Sequence, residues 1–131
     1  MLVRKNGFTM IEMVFVIVAI GILAAIAVPR FAATRLDAEI SKGRADVAAV
    51  RSAIVSERQS RLITGDTTWI AALGSGFSNV LMYEAGDKWN GNGAAYTYTL
   101  SDGTAITFAY NNNNGTFRCT SGCGNGFSDF Q

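Results

Sequence analysis

Apolar residues are concentrated near one end of this chain of 131 residues. From Phe8 to Val28 a single charged side chain, Glu12, interrupts an otherwise uncharged run, and the run stops at Pro29-Arg30. A helix over this stretch would be about 32 Å long, enough to cross the hydrocarbon core of a bilayer. The pattern therefore predicts a membrane-spanning helix.

Beyond Pro29 the pattern stays helical but becomes amphipathic. Charged side chains occupy most of the helix circumference, and Thr64-Gly65-Asp66 supplies a stop signal. We therefore predict one helix from Phe8 to about Leu62, apolar all round in its first half and apolar on one stripe in its second. The stripe consists of Ala32, Leu36, Ile40, Gly43, Val47, Val50 and Ile54.

The remaining chain is rich in Gly, Asn, Ser and Thr and predicts short elements. Thr67–Leu73 has the pattern of a short helix, with Asp66 or Thr67 as its cap and Gly74 at its end. Asn79–Tyr83 fits either a short strand or a helical turn.

Three later segments alternate in the manner of strands: Tyr96–Leu100, Ala105–Tyr110 and Thr116–Cys119. Turn sequences rich in Gly, Asp and Asn separate them, which predicts an antiparallel sheet of three or four strands. Because so small a sheet needs a partner for its apolar face, we expect it to pack on the Leu36–Ile54 part of the helix stripe. The expected fold class is α+β.

The composition argues against two classes of function, nucleic-acid binding and enzymatic catalysis. The formal net charge is +1, so no general basic character points to nucleic acid, and histidine is absent. The sequence thus lacks the commonest general base, and it shows no clustered carboxylates, cysteine–base pair or phosphate loop. We expect no enzymatic activity and no cofactor.

The N-terminal residues resemble a known family. Arg4 and Lys5 precede Gly7 and Phe8, then Thr9-Met10-Ile11-Glu12 opens the apolar run. This arrangement is similar to the N-terminus of type IV pilins and of type II secretion pseudopilins. The resemblance implies a pilin-like fold, a leader of residues 1–7 that a prepilin peptidase removes after Gly7, and N-methylation of the new N-terminal residue, Phe8.

Glu12 is the informative residue of the run, because a carboxylate in hydrocarbon is costly. It either reaches back to the cytoplasmic interface or meets a positive charge from another chain. If the leader is cut after Gly7, the new amino group of Phe8 on a neighbouring copy is such a charge, and its pairing with Glu12 would set the axial register. An ordinary signal peptide cut at Ala27 is the alternative, but its apolar core would be shorter.

The resemblance also divides the chain. Residues 8–28 would be the transmembrane and filament-core helix, residues 29–64 the amphipathic half, and residues 65–131 the C-terminal loop and sheet region. Gly21 and Pro29 lie where family members weaken the helix; a simple kink at the membrane edge is the alternative. The basic Arg4-Lys5 pair favours a cytoplasmic N-terminus and a periplasmic C-terminal region of an inner-membrane protein.

Three further features have competing interpretations. Arg44, Arg51 and Arg58 could follow phosphates, but such helix edges are more often solvated or lie between subunits, so we do not expect nucleic-acid binding. A loop contains three oxygen-bearing side chains, Asp87, Asn90 and Asn92, which fit calcium or an ordinary turn.

The third feature is the pair Cys119 and Cys123. In an exported domain we favour a disulfide over free thiols. The enclosed loop is much smaller than the disulfide-bounded loop of many pilins, which puts a receptor-binding loop of that type in doubt.

The expected function is that of a structural subunit of a helical filament. Expected partners are further copies of the chain, other minor pilins or pseudopilins, the prepilin peptidase, an inner-membrane assembly platform and, before assembly, membrane lipid. The compact C-terminal region favours a type II secretion pseudopilin. A pilus subunit for adhesion or motility, a competence pseudopilin and a membrane-anchored DNA-binding module are the alternatives.

Overall fold

The computed structural model describes residues 7–131; the basic pair Arg4-Lys5 and the rest of residues 1–6 lie outside the described residues. The chain divides into two compact units, residues 1–35 and residues 36–131. The long helix α1, Met10–Ile63, contributes to both. Its observed end confirms the predicted end near Leu62, and its start lies two residues after the predicted one.

In the first unit, α1 exposes apolar side chains on all sides. The helix continues without interruption through Gly21 and Pro29. By length and composition it is suited to cross a membrane, and none of its most apolar stretch is buried within the protein. The prediction of a helix that is apolar all round is confirmed.

The second unit contains a four-stranded antiparallel sheet in the order β1-β2-β3-β4. The predicted meander is confirmed, and a two-residue strand adds the fourth member. Tyr96 on β2 pairs with Phe108 on β3, which pairs with Cys119 on β4. The strands are β1 (Trp89–Asn90), β2 (Ala95–Thr99), β3 (Ala105–Asn111) and β4 (Thr116–Ser121).

The second half of α1 packs its stripe against the sheet. Gly43, Val47, Val50 and Ile54 are buried, Leu36 and Ile40 are partly buried, and Ala32 in the first unit is exposed. The predicted packing of the sheet on the Leu36–Ile54 part of the stripe is therefore confirmed. Alternate residues of β2, β3 and β4 face this core, as expected for strands with one buried face.

Aromatic rings fill most of the space between helix and sheet. Phe77, from a short 3₁₀ turn at Ser75–Phe77, stacks on Tyr96 with ring centroids 4.6 Å apart. Phe108 stacks on Phe117 at 5.3 Å, and Trp89 lies 4.9 Å from Tyr98. Such pairs add about 0.5–1.5 kcal/mol each beyond the area they bury. Trp89 and Tyr96 are core residues, as the sequence predicted.

Three tyrosine hydroxyls join the sheet to the chain around it. Burial raises the pKa of each hydroxyl, and each donates to a backbone carbonyl, so no phenol oxygen is buried without a partner. The pairs are Tyr96 to Gly74 at 2.9 Å, Tyr98 to Glu39 at 2.8 Å and Tyr110 to Ile70 at 2.8 Å.

The predicted helix at Thr67–Leu73 does not form. The carboxylate of Asp66 accepts hydrogen bonds from the amide and hydroxyl of Thr68, at 2.9 and 2.7 Å, which closes a local turn instead. The following chain is irregular and buries Ile70 and Leu73 in the core. Tertiary burial and the tyrosine bond to Ile70 therefore override the local helix pattern. Residues 79–83 form turns and bends, neither strand nor helix.

One flank of α1 is joined to the turn after β2 by Glu39. Its carboxylate accepts hydrogen bonds from the amide of Ser101, at 2.9 Å, and from the Ser101 hydroxyl, and it pairs with Lys88 at 3.1 Å. The Ser101 hydrogen bonds, and after them the Lys88 charge, lower the pKa of Glu39 to about 2.

The other flank is joined to the C-terminal segment by arginines. Arg44 donates to the carbonyl of Gly126 and pairs with Asp129 at 2.8 Å. Arg51 donates to the carbonyls of Phe117 and Phe130, at 2.8 and 3.0 Å, and lies over the Phe130 ring. The two guanidinium groups therefore hold β4 and the chain end against the helix.

The Glu39 contacts predict a specific pH dependence. Because the folded pKa lies below the ordinary 4.5, the unfolded chain binds more protons as pH falls, and the stabilisation present above pH 4.5 is lost as pH approaches 2. Glu39→Gln removes this titration. Urea unfolding of the full chain in detergent between pH 5 and 2 is expected to show a shallower loss of stability for the variant. Equal slopes for the two proteins would contradict the assignment.

The Arg51 contacts predict that a positive charge alone cannot replace the guanidinium group in stabilising the fold. Arg51→Lys keeps the charge but cannot supply two donors in a planar fork, so we expect a loss of about 1–3 kcal/mol in the free energy of unfolding. Arg118→Lys, an exposed exchange on β4, is the matched control and should change stability little. Equal effects of the two exchanges would argue against the contacts described.

Candidate functional site

The N-terminal end of α1 is closed by Thr9 and Glu12. The Glu12 carboxylate accepts hydrogen bonds from the Thr9 amide at 2.8 Å and from its hydroxyl at 2.9 Å. The Glu12 amide donates back to the Thr9 hydroxyl at 3.3 Å. This reciprocal arrangement is a capping box, with Thr9 as N-cap and Glu12 in the first turn.

The sequence predictions for Glu12, a position at the cytoplasmic interface or a partner on a neighbouring chain, do not include this local role. The spacing Thr9-x-x-Glu12 carries the signal, since Ser or Thr followed three residues later by Glu marks a helix start. The bonds are formed by one carboxylate oxygen, Oε2, and the side chain is exposed. The carboxylate can therefore cap its own helix and still present its other oxygen outward.

The surroundings of Glu12 are apolar. Phe8, Ile11, Phe15 and Val16 join it in lining a groove of about 420 Å³ on the helix surface. Phe8 is 78% exposed, and Ile11 and Phe15 are each 74% exposed. A carboxylate bordered by exposed apolar side chains suits contact with another apolar helix that brings a positive charge.

The predicted cleavage position is accessible. Gly7 and Phe8 are exposed and precede the first helical residue, Met10, so this peptide bond is not held in regular secondary structure. Accessibility is compatible with removal of residues 1–7 and with modification of the Phe8 amino group, which stay predictions. The proposed weakening of α1 at Gly21 and Pro29 also stays a prediction, because both positions are helical here.

The predicted calcium ligands lie around β1. Asn90 belongs to this strand and pairs with Thr97 on β2, whereas Asp87 and Asn92 lie in the flanking loops. All three side chains are exposed. Within residues 7–131 no three Cys, Asp or Glu side chains come close enough to hold a metal ion. Calcium binding here stays a prediction.

Cys119 and Cys123 form a disulfide. The bridge connects β4 to the segment that carries Phe127, a fully buried core residue. It therefore fixes the C-terminal segment at the sheet edge where Arg44 and Arg51 also bind it.

The arginine row on α1 serves the fold. Arg44 and Arg51 hold the C-terminal segment, and Arg58 lies over the Trp69 ring at 4.9 Å. All three guanidinium groups are thus engaged by carbonyls, a carboxylate or aromatic rings of the same unit. Their regular spacing beside the buried stripe reflects intramolecular packing, and it lends no support to a phosphate-binding edge.

Comparison with known proteins agrees with the resemblance. The family described as the prokaryotic N-terminal methylation motif matches residues 2–28. The chain is 37% identical over 111 residues to the type IV narrow pilus major component PilA5 of Thermus thermophilus, covering 76% of this chain and 90% of that protein. No solved structure gives a significant match. The chain therefore belongs to the type IV pilin family, whose members are structural subunits and not enzymes.

Proposed function

We propose that this protein is the subunit of a type IV pilus, stored in a membrane through α1 and assembled with further copies into a helical filament. The observation that carries the proposal is the apolar surface of α1 between Phe8 and Val28, of which the most apolar stretch is not buried within the protein. Lipid before assembly, and neighbouring helices after it, can cover the same surface.

The assignment to a pilus departs from the pseudopilin expected from the sequence. The similar Thermus protein is described as a major pilus component, and its whole length is nearly covered by this chain, which favours the pilus. A type II secretion pseudopilin is the second candidate. The small Cys119–Cys123 loop favours it, because two cysteines only 4 residues apart in sequence cannot enclose an extended binding loop.

Glu12 has a proposed role in register. After cleavage behind Gly7, the amino group of Phe8 would carry a positive charge. N-methylation would leave that charge in place, because a methylated amine is still protonated at neutral pH. A neighbouring helix displaced along its axis could bring that charge to the outward-facing oxygen of Glu12. In apolar surroundings a mismatched register would leave both charges unpaired, so the pair would favour one axial displacement over others.

The processing model and the membrane topology are parts of the same proposal. The prepilin peptidase would cut between Gly7 and Phe8 on the cytoplasmic side, and residues 36–131 would fold outside the inner membrane. The Cys119–Cys123 disulfide supports this location, since disulfides persist in the periplasm and at the cell surface. Assembly would then require a membrane platform that extracts the subunit, and minor pilins as further partners.

Three variants separate the capping role of Glu12 from its charge. Glu12→Gln keeps an acceptor for the Thr9 amide and so preserves the capping box, whereas Glu12→Ala removes both functions. Thr9→Val keeps the carboxylate and loses the hydroxyl, at a cost of about 1 kcal/mol to the helix start. We expect both Glu12 variants to remain in the membrane without forming filaments, and Thr9→Val to assemble.

The measurement is filament yield on the cell surface, by electron microscopy and by immunoblot of sheared material. Intact mass of each variant must first show a cut after Gly7 and one added methyl group, so that failed processing is not mistaken for failed assembly. Normal filaments from Glu12→Gln would show that the charge has no register role. Wild-type protein that is processed but never surface-exposed would favour the pseudopilin.

A further inference from the structure

A groove of about 300 Å³ opens at the β4 edge of the sheet. Arg51 and Val55 of α1 line one side, residues 115–118 line the other, and Gln131 closes one end. Two arginines, Arg51 and Arg118, face this space, and no Asp or Glu side chain lines it. Val55, which is 50% exposed, provides an apolar floor.

The charged side chains that line the groove are those of Arg51 and Arg118. Arg51 donates only to neutral carbonyls, and burial together with the nearby Arg118 lowers its pKa, as expected for two like charges in proximity. The groove therefore has the charge to bind an anionic group.

The complementary chemistry lies on the loop that leads into β1. Met82 and Tyr83 are 90% and 79% exposed, an unusual position for two large side chains that are not at a chain end. Glu84 follows directly and is also exposed. Within the described part of the chain, its carboxylate forms no ion pair.

The loop and the groove belong to opposite edges of the sheet. β1 and β4 are the outer strands, separated by three strand spacings, or about 14 Å. The loop of one molecule therefore does not fill its own groove. Two different surfaces that complement each other between copies form a head-to-tail contact, which repeats without closing when the copies are arranged as a helix.

We propose that the segment Met82–Glu84 of one copy docks in the β4-edge groove of a second copy. Glu84 pairs with Arg118 and Arg51, while Tyr83 packs on Val55. The occupant is a second copy because the same chain carries both halves of a complementary pair. One half is a groove whose charged side chains are two arginines, and the other is an exposed apolar segment ending in a carboxylate. The inference rests on the proposed filament function and specifies which surfaces of residues 36–131 meet.

Charge reversal tests the contact in cells that carry the assembly machinery. Arg118→Glu and Glu84→Arg each place like charges together, and we expect about tenfold fewer filaments from either variant. The double variant restores opposite charges and is expected to recover most of the wild-type yield. Asp37→Arg makes a matching change from negative to positive charge at another exposed carboxylate, on α1, and should assemble normally.

A cross-link provides a second readout that does not depend on yield. The double variant Glu84→Cys, Thr116→Cys should form disulfides between copies and give a ladder of multimers on a non-reducing gel, whereas each single variant should give none. The urea midpoint of each charge variant, compared with wild type, shows whether the fold is intact.

The outcomes separate this inference from the proposed function. If wild-type protein forms no filaments, the filament function itself fails. If wild type assembles and both charge reversals assemble equally well without a cross-link, the contact is overturned and the filament function stands. If Arg118→Glu alone blocks assembly, the double variant does not recover, and no ladder forms, the groove binds an anionic partner other than this loop, which also overturns the proposal.

Discussion

The second unit depends on how closely α1 approaches the sheet at Gly43. A Cβ atom built on Gly43 would lie 2.6 Å from Cε1 of Tyr98 and 2.9 Å from Cζ of Phe127, too close for any side chain. The absence of one lets two aromatic rings pack directly on the helix backbone. The contacts on the two flanks, Glu39 to Ser101 and the arginines to the C-terminal segment, require the helix at this distance.

The two halves of α1 have different surfaces, and each surface needs a different kind of cover. Residues 36–63 present one apolar stripe, which the sheet covers, and the charged side chains lie outside that stripe. Residues 8–28 are apolar on all sides, and the described residues bury none of their most apolar stretch. The only charged side chain of that stretch, Glu12, is held by Thr9 at the helix start. Such a surface needs an apolar environment from outside the chain, which the pilin assignment supplies in the proposed membrane and filament.

Elements defined by local periodicity could be predicted from the sequence, and contacts made at long range could not. The length of α1 and its stripe follow from helical spacing, and three strands follow from alternation between turn residues. Thr67–Leu73 was wrong because its helix pattern is weaker than the burial of Ile70 and Leu73. The role of Glu39 was not predictable, since its partner Ser101 lies 62 residues away. The capping box at Thr9 is a local feature whose signal lies in the spacing Thr9-x-x-Glu12.

The free energy of unfolding of Gly43→Ala tests the close helix–sheet approach most directly, because two effects of opposite sign compete. Helix propensity alone would stabilise the variant by up to about 1 kcal/mol. The reverse exchange Ala48→Gly, at an exposed position of α1, measures the contribution of helix propensity without any change in core packing. Overpacking against Tyr98 and Phe127 costs about 1–3 kcal/mol. We predict a net loss of about 1–2 kcal/mol for Gly43→Ala. A gain in stability would contradict the account.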